Sequence, residues 1–242
     1  LGICGTAMGS IAAAMRDRGF KVTGQDENVY PPMSTFLESK GVEITSGFRP
    51  EDIPSADLIV IGNAMSRGNP AVEAVLNRKL LYLSLPETLK QFFLRGRHNL
   101  VVTGTHGKTT TTSLLAWIFE SAGEEPGYLI GGIPSNLGQG ACLRDSKHFI
   151  IEGDEYDTAF FDKRSKFIHY LPELVIVNNV EFDHADIYSN LEEIKTSFRR
   201  LLNIVPSEGM VLINGDDANS IDVAAKCHAP VVGVGFSENC AN

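Results

Sequence analysis

An apolar run, Asn99-Leu100-Val101-Val102-Thr103, leads directly into Gly104-Thr105-His106-Gly107-Lys108-Thr109-Thr110-Thr111-Thr112. That order predicts a strand over Asn99 to Thr103, a tight glycine turn and a helix, the building unit of an α/β sheet. The two glycines let backbone N–H groups close on phosphate oxygens at the positive end of the following helix. Lys108 adds a point charge for the β- and γ-phosphates, and Thr109 a hydroxyl for Mg²⁺. The general pattern G-x-x-x-x-G-K-[ST] would need a glycine where Val102 stands, so the loop is a shortened variant. It points to a nucleoside triphosphate; the plain alternative is a Gly/Lys turn that merely caps a helix.

At 242 residues the chain has room for one large domain or two smaller ones. Its 43% hydrophobic content suits a globular core, and no apolar run approaches membrane-spanning length. Neither a transmembrane segment nor a signal peptide is expected, and no membrane partner. A net charge of −9 argues against a nucleic-acid surface, so phosphate recognition falls to loops and a few cations. Cys4, Cys142, Cys227 and Cys240 lack C-x-x-C spacing and suit reduced, cytoplasmic thiols. The chain opens on Leu1, inside an expected strand, and stops at Asn242, so it reads as an excerpt of a longer protein.

The first half alternates strands and helices. Leu1 to Cys4, Lys21 to Thr23, Val42 to Thr45, Leu58 to Gly62 and Leu80 to Ser84 read as short strands of a mainly parallel, Rossmann-like sheet. The first turn, Gly2-Ile3-Cys4-Gly5-Thr6-Ala7-Met8-Gly9-Ser10, would need glycines at Cys4 and Ala7 to complete G-x-G-x-x-G, which weakens a nicotinamide reading. What remains is a glycine turn feeding a helix over Met8 to Arg18, whose first N–H groups can take a diphosphate. Asp26 stands where an acidic residue commonly binds a ribose hydroxyl. An ordinary strand-helix connection would read the same way.

A boundary falls near Arg95-Gly96-Arg97, after a helix over Pro86 to Leu94, giving domains 1–96 and 97–242. In the second, Leu114, Leu115, Ile118, Phe119 and Ala122 recur at helical spacing and are expected to face a sheet, with Gly123 as the stop. Phe149 to Ile151, Leu174 to Val177 and Met210 to Ile213 read as buried strands, each followed by polar residues where an open α/β sheet binds ligands. Two of those ends matter most: Glu152-Gly153-Asp154-Glu155 and Asn179-Val180-Glu181-Phe182-Asp183-His184. Mg²⁺ takes a few carboxylate or hydroxyl oxygens plus phosphates and water, so Thr109 and Glu152 are candidate ligands; His184 is a less usual one that also suits Mn²⁺. The bland reading makes the acids solvated turn residues and His184 a helix cap.

These residues resemble the ATP-dependent Mur ligases of peptidoglycan metabolism. Gly104 to Thr112, Glu152-x-Asp-Glu155 and Asn179-x-Glu-x-Asp-His184 are similar to the central-domain signatures of the members that use UDP-N-acetylmuramate. Three further stretches, Gly2 to Thr6, Val29 to Thr35 with Ile61 to Pro70, and Glu155 to Phe167, resemble the branch that attaches L-alanyl-γ-D-glutamyl-meso-diaminopimelate during wall recycling. The resemblance implies a UDP-sugar site at Gly5, Thr6, Met8, Gly9 and Ser10, with contacts from Asp26, Asn63 and Ser66. It implies ATP on Gly104, Thr105, His106, Gly107, Lys108, Thr109, Thr110 and Asn179, with Lys108, Glu152 and His184 catalytic and Mg²⁺ held by Thr109, Glu152 and His184. The γ-phosphate would pass to the lactyl carboxylate, and the tripeptide's amine would then displace phosphate.

Departures from the family pattern bear on the expectation. A carbamylated lysine that several members use falls at Phe198; Lys195 lies out of register and is expected to face solvent. The L-alanine-adding members also lack that lysine. The C-terminal domain that binds the incoming amine in the family is expected to lie beyond Asn242. Two alternatives stay open: an L-alanine ligase, disfavoured by Cys4 and by the insertion-like Lys163 to Tyr170, and a non-catalytic module that binds UDP-sugar and nucleotide.

Overall fold

The computed structural model describes residues 1–183, 188–237 and 240. Its strands are β1 (Thr23–Asp26), β2 (Glu43–Ser46), β3 (Ile59–Ile61), β4 (Tyr82–Ser84), β5 (His98–Thr103), β6 (Gly127–Leu129), β7 (Ala141–Cys142), β8 (His148–Glu152), β9 (Asp157–Ala159), β10 (Asp162–Ser165), β11 (Leu174–Val177), β12 (Met210–Asn214) and β13 (Val231–Val234). Its α-helices are α1 (Thr6–Asp17), α2 (Met33–Ser39), α3 (Pro70–Asn77), α4 (Leu85–Leu89), α5 (Lys108–Ser121), α6 (Leu191–Leu202) and α7 (Ala218–Ala224). The chain divides into two compact units, Leu1–Phe93 with Gly131–Leu143 and Asp157–Arg164, and Leu94–Ile130 with Arg144–Tyr156 and Ser165–Asn242.

In the first unit, β1 pairs parallel with β2, and β3 with β4. The opening residues join the two pairs: Gly2 N and Ile3 N donate to Gln25 O, and Gly62 N donates to Leu1 O. Leu1 to Cys4, expected as a full strand, makes these bonds for two or three residues before the glycine turn ends the extended run. The strand expected at Lys21 to Thr23 instead spans the polar Thr23–Asp26, because those residues find the register partners Glu43 to Ser46. Ile3, Ala13, Leu37 and Val42 form one core cluster, and Ile53, Ile61, Ala71 and Val75 another. The helix expected over Pro86 to Leu94 begins at Leu85 behind a Ser84/Glu87 capping box and widens into a π-helical turn over Lys90–Leu94.

The second unit carries the strand order β13-β12-β11-β5-β8-β6, every neighbouring pair parallel. Val101, Val102, Ile150, Ile151, Val175, Val177 and Val211 are buried, as expected for a parallel sheet covered on both faces. β5 is flanked by β8 on one side and β11 on the other, and in an open α/β sheet ligands bind at the carboxyl ends of such central strands. The buried face of α5 differs from the one that the helical spacing of its large apolar residues predicts. Leu114 and Ile118 are 58% and 60% exposed, whereas α5 buries Thr112 and Ala116, one turn apart and on the opposite side. Small side chains allow closer approach to the sheet than the larger apolar ones would.

Candidate functional site

The loop between β5 and α5 is stitched to the loop that follows β11. Thr105 N donates to Asn179 O (3.0 Å) and His106 N to Asn179 Oδ1 (2.8 Å). Glu181 N donates to Thr105 Oγ1 (2.9 Å), while Asn178 Nδ2 donates to His106 O (3.2 Å). These bonds explain both glycines. A Cβ on Gly104 (φ +132°) would lie 3.0 Å from Asn179 N, and one on Gly107 (φ +80°) 3.0 Å from Asn178 Nδ2. Thr111 N donating to Gly107 O opens the helical ladder, so the amides of Lys108, Thr109 and Thr110 precede any intrahelical partner.

Lys108 folds back over this loop. Its ammonium donates to Gly104 O (2.7 Å), Thr105 O (3.1 Å) and Glu155 Oε1 (3.1 Å). Glu155 is 3% exposed, and burial pushes its carboxyl above the usual range while the Lys108 charge pulls the other way. From the end of β8, Glu152 Oε1 accepts from Thr109 Oγ1 at 3.0 Å. A hydroxyl and a carboxylate meeting at a triphosphate-type loop are the oxygen donors that Mg²⁺ prefers, with water and phosphate completing the shell. Among the described residues no three His, Cys, Asp or Glu side chains converge as a metal cluster. The third candidate ligand, His184, lies outside the described residues. Tyr170, fully buried, has its phenol raised first by burial and then by Asp154 and Glu152. Thr110 and His106 are exposed.

In the first unit, Gly5 caps α1, with Gly5 and Thr6 exposed at its start. Asp26 braces the turn: Oδ2 accepts from Cys4 N (2.8 Å) and Oδ1 from Asn28 N (2.9 Å). Burial, then the Asp26 charge, raises the Cys4 thiol. A Cβ on Gly9 would fall 2.4 Å from Met33 Sδ and 3.1 Å from Ile3 O, so α1 needs glycine there to sit so close. Met8 lies beside Gly62 and Met65 beside Gly2, which brings the loop after β3 to the glycine turn. Asn63 and Ser66 are exposed on that loop, whereas Ser10 is buried, its hydroxyl without a hydrogen-bond partner among the described residues.

Residues 1–97 match the family model described as "Mur ligase family, catalytic domain", and residues 102–242 the "Mur ligase middle domain". The chain belongs to the Mur ligase family. A relative from Escherichia coli K12, named UDP-N-acetylmuramate–L-alanyl-γ-D-glutamyl-meso-2,6-diaminoheptandioate ligase, is 53% identical over 90% of this chain and 48% of its own length. Its namesake from Haemophilus influenzae is 51% identical over 93% and 50%. The chain thus spans about half the length of the curated relatives it matches. A UDP-N-acetylmuramate–L-alanine ligase from Psychrobacter sp. is 34% identical over 98% of the chain. Among solved structures, the ligase of the first name from Neisseria meningitides superposes with a TM-score of 0.90 at 49% identity, covering 96% of this chain and 75% of that one.

Within this Mur ligase chain, several residues at the site escaped sequence reasoning. Asn178 adjoins the candidate Asn179, and Glu155 ends the acidic segment Glu152-Gly153-Asp154-Glu155, so adjacency to a candidate residue is the sequence signal that marks both. Lys195, expected in solvent, is 13% exposed and paired with Asp222 (2.9 Å), an acid on α7 that also takes Arg199. The pairing arises between helices α6 and α7, which no local pattern reports. Phe198 is fully buried and packs edge-on against Phe167. No described helix is long and apolar enough to cross a membrane.

Proposed function

We propose that the chain carries the nucleotide- and sugar-binding parts of an ATP-dependent, ADP-forming ligase that joins UDP-N-acetylmuramate to L-alanyl-γ-D-glutamyl-meso-diaminopimelate. The reaction belongs to peptidoglycan recycling in the cytoplasm. ATP lies on Gly104 to Thr110 with Asn179 beside it. The UDP-sugar takes its diphosphate on Gly5 to Ser10 at the start of α1, with Asp26, Asn63 and Ser66 around it.

The observation that supports phosphoryl transfer is the meeting of Lys108, Thr109 and Glu152 at one loop. Lys108 places a fixed positive charge where the γ-phosphoryl group gains negative charge in flight, which is where such a charge lowers the barrier. Thr109 and Glu152, with His184, would hold Mg²⁺, which when bound screens the phosphate oxygens. The lactyl carboxylate oxygen attacks the γ-phosphorus, the bond to the β-phosphate oxygen breaks, and ADP leaves. The tripeptide's neutral amine then attacks the acyl carbon; the C–O bond to phosphate breaks and the amine proton is lost to solvent or base. Activation is needed because a carboxylate does not condense with an amine at neutral pH.

The choice of acceptor is supported by relatives at 53% and 51% identity against 34% for the L-alanine ligase. ADP release from the complete enzyme with ATP, Mg²⁺ and UDP-N-acetylmuramate, measured with tripeptide in one arm and L-alanine in the other, tests it. Release driven by tripeptide is expected. Release driven by L-alanine alone would assign the chain to the other branch.

A further inference from the structure

We propose that Asp217 and Asn219, at the start of α7, are positioning residues for the phosphate loop and act on it through the two peptide planes that flank Val180. The inference rests on the reading of Gly104 to Thr110 as the nucleotide site. Neither residue belongs to that loop. Asp217 Oδ2 accepts from Val180 N at 2.8 Å, and Asn219 Nδ2 donates to Val180 O at 2.7 Å.

A trans peptide is planar, with its N–H and C=O pointing in opposite directions, so holding one end aims the other. The plane between Asn179 and Val180 is held by Asp217 at its N–H; its carbonyl, Asn179 O, accepts from Thr105 N at 3.0 Å. The plane between Val180 and Glu181 is held by Asn219 at its carbonyl; its N–H, on Glu181, donates to Thr105 Oγ1 at 2.9 Å. Each plane is therefore gripped by α7 on one side and grips Thr105 on the other. Val180 itself is fully buried, which fixes its side chain but leaves the flanking planes to these four bonds. Asp217 also caps α7, accepting from Ser220 N (3.1 Å) and Asn219 N (3.2 Å), so helix, carboxylate and Val180 form one rigid support.

The cleaner probe is Asn219→Ala, since Asn219 donates through its amide and alanine is a good helix residue. With a non-hydrolysable ATP analogue and Mg²⁺, calorimetry on the variant is expected to show affinity weakened about three- to tenfold, the scale of one lost intramolecular hydrogen bond. A role confined to α7 stability would lower the unfolding midpoint without moving this affinity. Because the effect runs through the Thr105 hydroxyl, Asn219→Ala in a Thr105→Ala background should cost little extra; full additivity of the two changes would overturn the proposal. Unchanged affinity in Asn219→Ala, with wild type binding normally, would also overturn it. If wild type itself fails to bind the analogue, the nucleotide reading falls, and amide exchange at Glu181 decides the positioning claim alone: faster exchange in Asn219→Ala supports it, equal exchange defeats it. Asn219→Ser serves the same measurements if the alanine variant does not fold.

Discussion

The two glycine turns of this chain start from the same plan, an extended segment, a turn rich in glycine and a helix, and end in different surroundings. The turn before α1 is braced by one carboxylate, Asp26, through Cys4 N, and offers open amides with no cation among its own residues. The turn before α5 is tied down by the loop after β11, carries Lys108 over its centre and receives Glu152 at Thr109. The difference lies less in the turns than in what neighbouring strand ends deliver. A diphosphate that is only held needs amides; a phosphoryl group that moves needs charge fixed in place as well.

Lys108→Ala should break the comparison most severely. Ligation by the complete enzyme is expected to fall by roughly 10³-fold or more, the scale at which charge-stabilising groups act in phosphoryl transfer, as ADP release would show. UDP-N-acetylmuramate affinity, measured by calorimetry, should stay within about twofold.

Glu152→Gln comes next. Removing one charged oxygen ligand is expected to raise the Mg²⁺ concentration for half-maximal rate by about tenfold, with Mn²⁺ partly restoring activity. His184→Ala in the same assay tests the expectation drawn from its sequence motif. An unchanged metal requirement in both variants would return these residues to plain turn and capping roles.

A smaller effect concerns Glu155. Burial raises its folded carboxyl above the ordinary 4.5, so the folded state holds that proton more tightly than the unfolded chain does. Its contribution to stability is fully present below about pH 4.5 and is lost as pH rises through the raised value. Glu155→Gln should therefore flatten the decline of the unfolding midpoint across that window, and a steeper decline in the variant would contradict the sign.

Much of this contrast could be read before any coordinates. Strand-to-helix order, the shortened glycine loop and the acids at strand ends are local patterns, and Leu174 to Val177 was bounded to the residue. Long-range partners were not legible. Thr23–Asp26 is polar and becomes a strand only through β2, and α5 turns its small residues inward because the sheet, not its own periodicity, selects the face. Lys195 looked solvent-facing because Asp222 is distant in sequence, and Asp217 and Asn219 reach Val180 across 37 and 39 positions.

The most direct test of two turns for two ligands is a crossed titration of Gly9→Ala and Gly104→Ala with UDP-N-acetylmuramate and with a non-hydrolysable ATP analogue plus Mg²⁺. A methyl at Gly9 must displace Met33 and press on Ile3 O, while one at Gly104 meets Asn179 N in a backbone conformation that alanine rarely adopts. Gly9→Ala is expected to weaken only the UDP-sugar and Gly104→Ala only the nucleotide, each by about tenfold or more at the usual cost of such strain. Equal loss of both ligands in either variant, with the fold intact by circular dichroism, would contradict the assignment.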